Sequence, residues 1–318
     1  MRNAYLAALY DLAKGNKNIF ALVADNGAIV YDKFRQDFPG QFLNFGIAEA
    51  NMISVAAGLA SCGKIPFCYT ISSFLTMRAF EQIRIDACLQ NTNVKLVGIG
   101  AGFVYSNLGP THHATEDIAI MRALPNMTIL SPADPLEAKY LTVAAANLSG
   151  PAYLRLSVGG TPVVYKKEYD FKLGKAVTLK EGVDLTIIAT GGIVYEVLKA
   201  VEELEAVGIA VRLINMHTIK PLDEEAVLRA AKETKAILTI EEHTICGGLG
   251  SAVAEVILEN NLSSIQFKRL GLNNVFPSGY GTYDEMKEIN GLSKSHIVKE
   301  AKLIYENKAK KKAVRIAK

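Results

Sequence analysis

Asn44-Phe45-Gly46-Ile47-Ala48-Glu49-Ala50-Asn51-Met52 reads as the end of a strand, a turn at Gly46 and a helix that starts near Ala48. The residues that continue the helix, Ile53, Val55, Ala56, Leu59 and Ala60, are apolar or small nearly all round, as in a helix buried on every side. Glu49 therefore stands in the first turn of a buried helix. One reading makes it a carboxylate that complements the helix dipole. The other makes it an acid sheltered from water and suited to sharing a proton with a ring nitrogen.

Outward from this segment, apolar β-branched runs alternate with helical patterns. Strands are expected at 20–24, 95–100, 127–130, 185–189, 211–215, 236–240 and 265–270, and helices at 49–62, 74–89, 135–147, 194–207 and 250–259. Strands apolar on both faces that alternate with helices specify parallel sheets covered by helices, an α/β fold. The pattern breaks after Pro162. Residues 163–181 are rich in lysine and aromatics without a helical period, and a fresh strand opens at Leu185. The expectation is two parallel-sheet domains with helices on both faces, at 1–162 and 183–308, joined by a linker at 163–182 and followed by a basic tail at 309–318.

A chain of 318 residues has room for two such domains. No apolar run reaches the roughly 18 residues of a membrane span, and the N-terminus lacks the apolar core of a signal peptide, so a cytoplasmic protein is expected. The net charge of +3 rests on six basic residues within 308–318; without them the balance is 29 positive to 32 negative. This is a solvated, frayed end rather than a basic surface, and neither a nucleic-acid nor a membrane partner is expected. Cys62, Cys68, Cys88 and Cys246 form no CxxC pair and read as free, buried thiols.

Three further segments carry chemistry-bearing residues. In Ser72-Ser73-Phe74-Leu75-Thr76-Met77-Arg78-Ala79-Phe80-Glu81, a serine can cap a helix, and Phe74, Met77 and Phe80 recur every third residue on one helical face. They are either core or an aromatic and thioether wall for a flat heterocycle. Leu108-Gly109-Pro110-Thr111-His112-His113-Ala114-Thr115-Glu116-Asp117 places two histidines on a loop beyond the 95–100 strand, where parallel sheets bind ligands. They are a surface pair, include one satisfied buried ring, or do acid–base work. No third ligand follows at helical spacing, so no metal site is expected. Gly191-Gly192 and Gly247-Gly248-Leu249-Gly250 are tight strand-to-helix turns or phosphate cradles, and match neither a Walker loop nor a dinucleotide fingerprint. His243 receives no role.

In order and spacing together, these segments resemble the second half of the transketolase superfamily. The matching stretches are 44–52, 72–84, 109–112, 117–134, 215–222 and 241–250, nearly the whole length. The resemblance implies a thiamine-diphosphate pyrimidine-binding domain followed by the transketolase C-terminal domain. It implies that Glu49 bonds the aminopyrimidine nitrogen of thiamine diphosphate, with Asp25 and Ile47 close to the cofactor and Phe74, Met77 and Phe80 packed on or near its ring. It makes His112 a substrate-contacting residue that assists proton transfer, with His113 beside it, and Arg2 a phosphate-binding arginine. The Gly-Asp-Gly that binds diphosphate and Mg²⁺ in full-length members is absent from the sequence. The resemblance thus implies that a separate N-terminal transketolase subunit supplies the Mg²⁺ ligands, in an α2β2 assembly with active sites between the chain types.

Three positions depart from the family pattern. Leu108 stands where an aspartate recognises a donor hydroxyl, Val158 where an arginine binds phosphate (Arg155 lies three residues earlier), and Gly100 where a histidine contacts phosphate. Losing bidentate cationic partners weakens the grip on a sugar phosphate. The implied activity is transfer of a two-carbon ketol unit from a ketose to an aldose or aldehyde, on a non-standard sugar that lacks the phosphate or carries a bulkier group such as a nucleotide. The alternatives are the β subunit of a 2-oxoacid dehydrogenase or a decarboxylating carboligase of the same superfamily, and, outside enzymes, a noncatalytic assembly partner, against which Glu49 speaks.

Overall fold

Aliphatic runs bury both faces of strand after strand. Lys95–Ile99, Leu185–Ala189 and Val211–Asn215 are buried at every residue. A computed structural model describes residues 1–26, 28–262 and 264–316, and its strands are β1 (Ile19–Val23), β2 (Phe42–Asn44), β3 (Ile65–Ile71), β4 (Lys95–Ile99), β5 (Thr128–Leu130), β6 (Ala152–Leu156), β7 (Val177–Lys180), β8 (Leu185–Ala189), β9 (Val211–Asn215), β10 (Thr218–Lys220), β11 (Ala236–Thr244) and β12 (Gln266–Leu272).

They form two sheets, ordered β10-β5-β6-β4-β3-β1-β2 and β12-β11-β8-β9-β7. Both are parallel except at one edge each, where β10 runs antiparallel to β5 and β7 antiparallel to β9. Strand β7 lies inside the segment read as linker, and β10, from the second half of the chain, completes the first sheet. In the first sheet Val23 pairs with Tyr69 and Ile71 with Ile99, so the carboxyl ends of β1, β3 and β4 emerge along one edge.

Helices cover both faces of the first sheet. Arg2–Gly15 and Pro135–Asn147 bury Tyr5, Leu9, Ala138 and Leu141 in one core, and Glu49–Ser61 buries Met52, Ile53 and Ala56 in another. Pro135–Asn147 starts where the sequence places it, because Pro135 sits in its first turn and the Asp134 side chain accepts from Glu137 N.

The helix expected over 74–89 forms in three pieces, Ser72–Arg78, Phe80–Gln82 and a π-helix Ile83–Leu89. At Ala79 the backbone leaves helical geometry (φ −105°, ψ 19°). Phe74 consequently packs on the first core and Phe80 on the second, and the single face expected for Phe74, Met77 and Phe80 does not form. The basic tail read as frayed continues the helix Lys294–Ile316, which its lysines and alanines favour. Cys68 and Cys88 are buried as expected, whereas Cys62 and Cys246 are exposed. Among the described residues no helix is long and apolar enough to cross a membrane.

A charged seam joins the two sheets. Arg155 on β6 is fully buried; its Nε donates to Asp117 Oδ2 at 2.7 Å, and its Nη2 donates to the carbonyls of Ala114 (2.8 Å) and Glu242 (3.0 Å). Tyr153 donates to the same Asp117 oxygen at 2.7 Å. Thr244 N donates to Thr115 O, and the unassigned His243 accepts from Ala119 N through Nε2. Further along, buried Glu137 accepts from Ala133 N, from the hydroxyls of Tyr165 and Tyr169, and from Asn215 Nδ2. His217 is buried against Phe171, ring centroids 5.1 Å apart, and burial pulls its pKa down to about 4.

Candidate active site

The loops after β1, β2, β3 and β4 meet at the carboxyl edge of the first sheet, the usual ligand edge of such sheets. Asn44 ties the first two together. Its Oδ1 accepts from Asp25 N (3.1 Å) and Gly46 N (3.0 Å), and its Nδ2 donates to Asp25 Oδ1 (3.3 Å). Asp25 has a positive φ of 56°, a conformation an aspartate tolerates better than most residues, and Gly46 turns at φ 67°. The chain then enters the Glu49–Ser61 helix, whose N-cap, Ala48, offers no side-chain oxygen.

Glu49 is only 4% exposed, yet its neighbour Ile47 is 77% exposed and Met77 43%. A buried acid thus opens beside apolar side chains that the chain itself leaves uncovered. Arg78 Nη1 donates to Glu49 Oε1 at 3.3 Å, and the Cζ of the same guanidinium sits over the Phe74 ring, 3.9 Å from its centroid. Sequence reasoning passed over Arg78. It is a planar N–H-bearing group held between an aromatic face and a carboxylate. Phe80, beyond the break at Ala79, packs with the second core instead.

Phe74 also links Glu49 to the histidine loop. Its ring meets His112 edge-on at 5.1 Å, and Ser73 Oγ donates to Thr111 O at 3.4 Å. Thr111 Oγ1 lies 2.9 Å from His112 Nδ1, which fixes the ring and leaves Nε2 for a ligand. His113 is not brought to this place. It is 2% exposed, edge-on to Phe103 at 5.8 Å in a small core shared with Leu272 and Met286, and burial holds its pKa below the ordinary value. Arg2 has its Nη2 near Gly159, after β6.

One glycine turn of the second sheet is closed to phosphate. In Gly247-Gly248-Leu249-Gly250 the Glu241 carboxylate accepts from Leu249 N (2.7 Å) and Gly250 N (2.8 Å), and it occupies the space beside Gly248 where a Cβ would project. The chain's own anion already fills that helix N-terminus.

Residues 1–162 match the transketolase pyrimidine-binding domain and residues 174–297 the transketolase C-terminal domain. The chain belongs to the transketolase family. It is similar to a 6-deoxy-6-sulfo-D-fructose transketolase subunit of Clostridium sp. (strain MSTE9), 40% identical over 309 residues that cover 97% of this chain and 95% of that one. It is also similar to an apulose-4-phosphate transketolase subunit of Phocaeicola vulgatus, 39% identical, covering 81% and 84%. A solved split-gene transketolase, an inactive β4 tetramer, superposes with a TM-score of 0.87 at 40% identity over 96% of this chain and 97% of that one. Both named relatives are subunits, and they share 84% or more of their length with this transketolase chain. The chain is an enzyme subunit of the split kind, built from the second half of the family's architecture.

Proposed function

We propose that this subunit holds the pyrimidine half of thiamine diphosphate and, with a diphosphate-binding partner chain, transfers a two-carbon ketol unit from a non-standard ketose to an aldehyde. The observation that carries the reading is the pairing of contacts at Glu49: a buried carboxylate and the Phe74 face, with Arg78 between them. Bound there, thiamine diphosphate supplies the thiazolium carbon that carries the transferred unit. Glu49 holds a proton at the edge of the pyrimidine. Ile47 and Met77 exclude water from it, and Phe74 fixes its plane. Asn44 keeps the Asp25 and Gly46 loops at the spacing the ring requires. His112 presents Nε2 to the substrate oxygens and passes a proton to or from them.

The reading also assigns a second polypeptide. Ile47, Met77, Val55 and Leu89 are exposed apolar residues on or beside the helices that flank Glu49. Ile47 and Met77, beside the buried acid, support a protein interface there. The partner covers them, binds the diphosphate and supplies the Mg²⁺ ligands, in an α2β2 assembly in the cytoplasm. The sulfosugar and apulose phosphate relatives support a ketose outside the ordinary pentose phosphates. So do Gly100, Leu108 and Val158.

The test is reconstitution. The chain is combined with a Gly-Asp-Gly partner, thiamine diphosphate and Mg²⁺, and ketol transfer is followed from a panel of free, phosphorylated, sulfonated and nucleotide-linked ketoses. Turnover by the pair and none by either chain alone is expected. Pyruvate consumption without ketol transfer in the same assay overturns the reading in favour of a decarboxylating carboligase.

A further inference from the structure

Gly100 follows β4 with a φ of 87°, and a Cβ built there would run into the Tyr105 ring. The loop makes this approach possible: Leu108 N donates to Tyr105 O at 3.0 Å, closing a turn that folds Tyr105 back over the strand end. The ring packs on the first core from one side and meets His112 edge-on at 6.2 Å from the other. Asn26, beside the Asp25 loop, faces the Tyr105 hydroxyl, and the charge of Arg2 acts on it. Tyr105 therefore touches His112 and lies within reach of the charge of Arg2. Val104, the residue before Tyr105, borders a cleft of about 190 Å³ together with Val158, the Gly159-Gly160 turn, Gly192 and Tyr283.

We infer that Tyr105 is a specificity-determining residue of the transferase: its ring walls the sugar channel beside His112, and its hydroxyl, with Arg2, selects ketoses whose terminal group is a single-charged anion such as a sulfonate over the corresponding phosphate. This rests on the ketol-transfer reading above. A phenol, whose ordinary pKa is about 10, is an uncharged donor at neutral pH. One guanidinium and one neutral donor match a monoanion. A phosphate monoester carries between one and two negative charges near pH 7 and calls for further cationic partners. Because a side chain at position 100 and a ring at 105 exclude each other, the glycine and the tyrosine act as one substitution.

The experiment uses the assembled two-chain holoenzyme and two donors that differ only at the end group, 6-deoxy-6-sulfofructose and fructose 6-phosphate. Turnover gives kcat/KM for each, and calorimetry on the Glu49→Gln complex gives their affinities without catalysis. The wild type is expected to prefer the sulfonate about tenfold or more, a preference on the scale of one charged hydrogen bond. Tyr105→Phe is expected to lose most of that ratio while thiamine diphosphate affinity stays within about twofold, and Tyr105→His, which adds a titratable cation, to move the ratio toward the phosphate. A wild-type preference for the phosphate, or ratios in both variants within about twofold of the wild type, overturns the assignment of Tyr105 and leaves ketol transfer standing. Failure of every ketose to bind or react overturns the functional reading and this inference with it.

Discussion

The carboxyl edge of the first sheet and the seam between the two sheets hold similar residues in opposite states. At the edge, Asp25, Ile47, Met77 and Arg78 are exposed around one buried acid, and the loops are tied by a few side-chain bonds such as those of Asn44. In the seam, Arg155, Asp117, Glu137 and His243 are buried, and each is bonded within the chain. A charge buried by the chain's own atoms and bonded on several sides serves cohesion. A charge buried on one side and open to uncovered apolar residues on the other awaits something the chain lacks.

Changes at the two places should fail in different ways. Glu49→Gln in the assembled enzyme should lower kcat by about 10³-fold, the scale of a lost proton-transfer group, with the assembly intact by sedimentation. If assembly is lost as well, the edge is structural and the contrast collapses. Asp117→Ala should leave Arg155 buried without its carboxylate and cost about 3–5 kcal/mol in urea unfolding of the chain alone, where Glu49→Gln costs little. Seam chemistry should also register in acid. His217 is held neutral by burial with a folded pKa of about 4, below the unfolded value near 6.5. Its contribution is complete above the unfolded value and is lost as pH falls from about 6.5 toward 4, at up to about 1.4 kcal/mol per pH unit. The stability of His217→Gln should lack that slope. The smallest change in the free chain should come from Met77→Glu, an exposed site where stability moves by about 0.5 kcal/mol or less. Its affinity for the partner chain, read by titration, should nevertheless fall at least tenfold. An unchanged affinity would remove Met77 from the interface.

What the sequence revealed follows the same division. The strands Leu185–Ala189 and Val211–Asn215 and the helix Pro135–Asn147 form where periodicity places them, because burial of aliphatic residues and a local cap decide them. The strands Ile65–Ile71 and Ala152–Leu156 were not legible. Pro66 interrupts the first, and Arg155 looks like an exposed charge in the second until Asp117, far along the chain, is placed against it. The helix carrying Phe74 and Phe80 shows unbroken threefold spacing, but tertiary packing imposes the break at Ala79 that sends the two rings to different cores. At the site, Glu49 and His112 stand out by residue type and neighbours. Arg78 does not, because its role lies in a stacking contact that no spacing rule encodes. His113 stands out just as His112 does, and differs from it only in which way the loop turns it.

The loan of β10 has a practical consequence. A fragment ending near residue 162 would expose β5 along a whole flank, with Ile129 and Leu130 free to recruit any passing strand. Such a truncation should therefore precipitate rather than yield a tidy half-molecule, and efforts to dissect this subunit are better served by point changes than by cutting it in two.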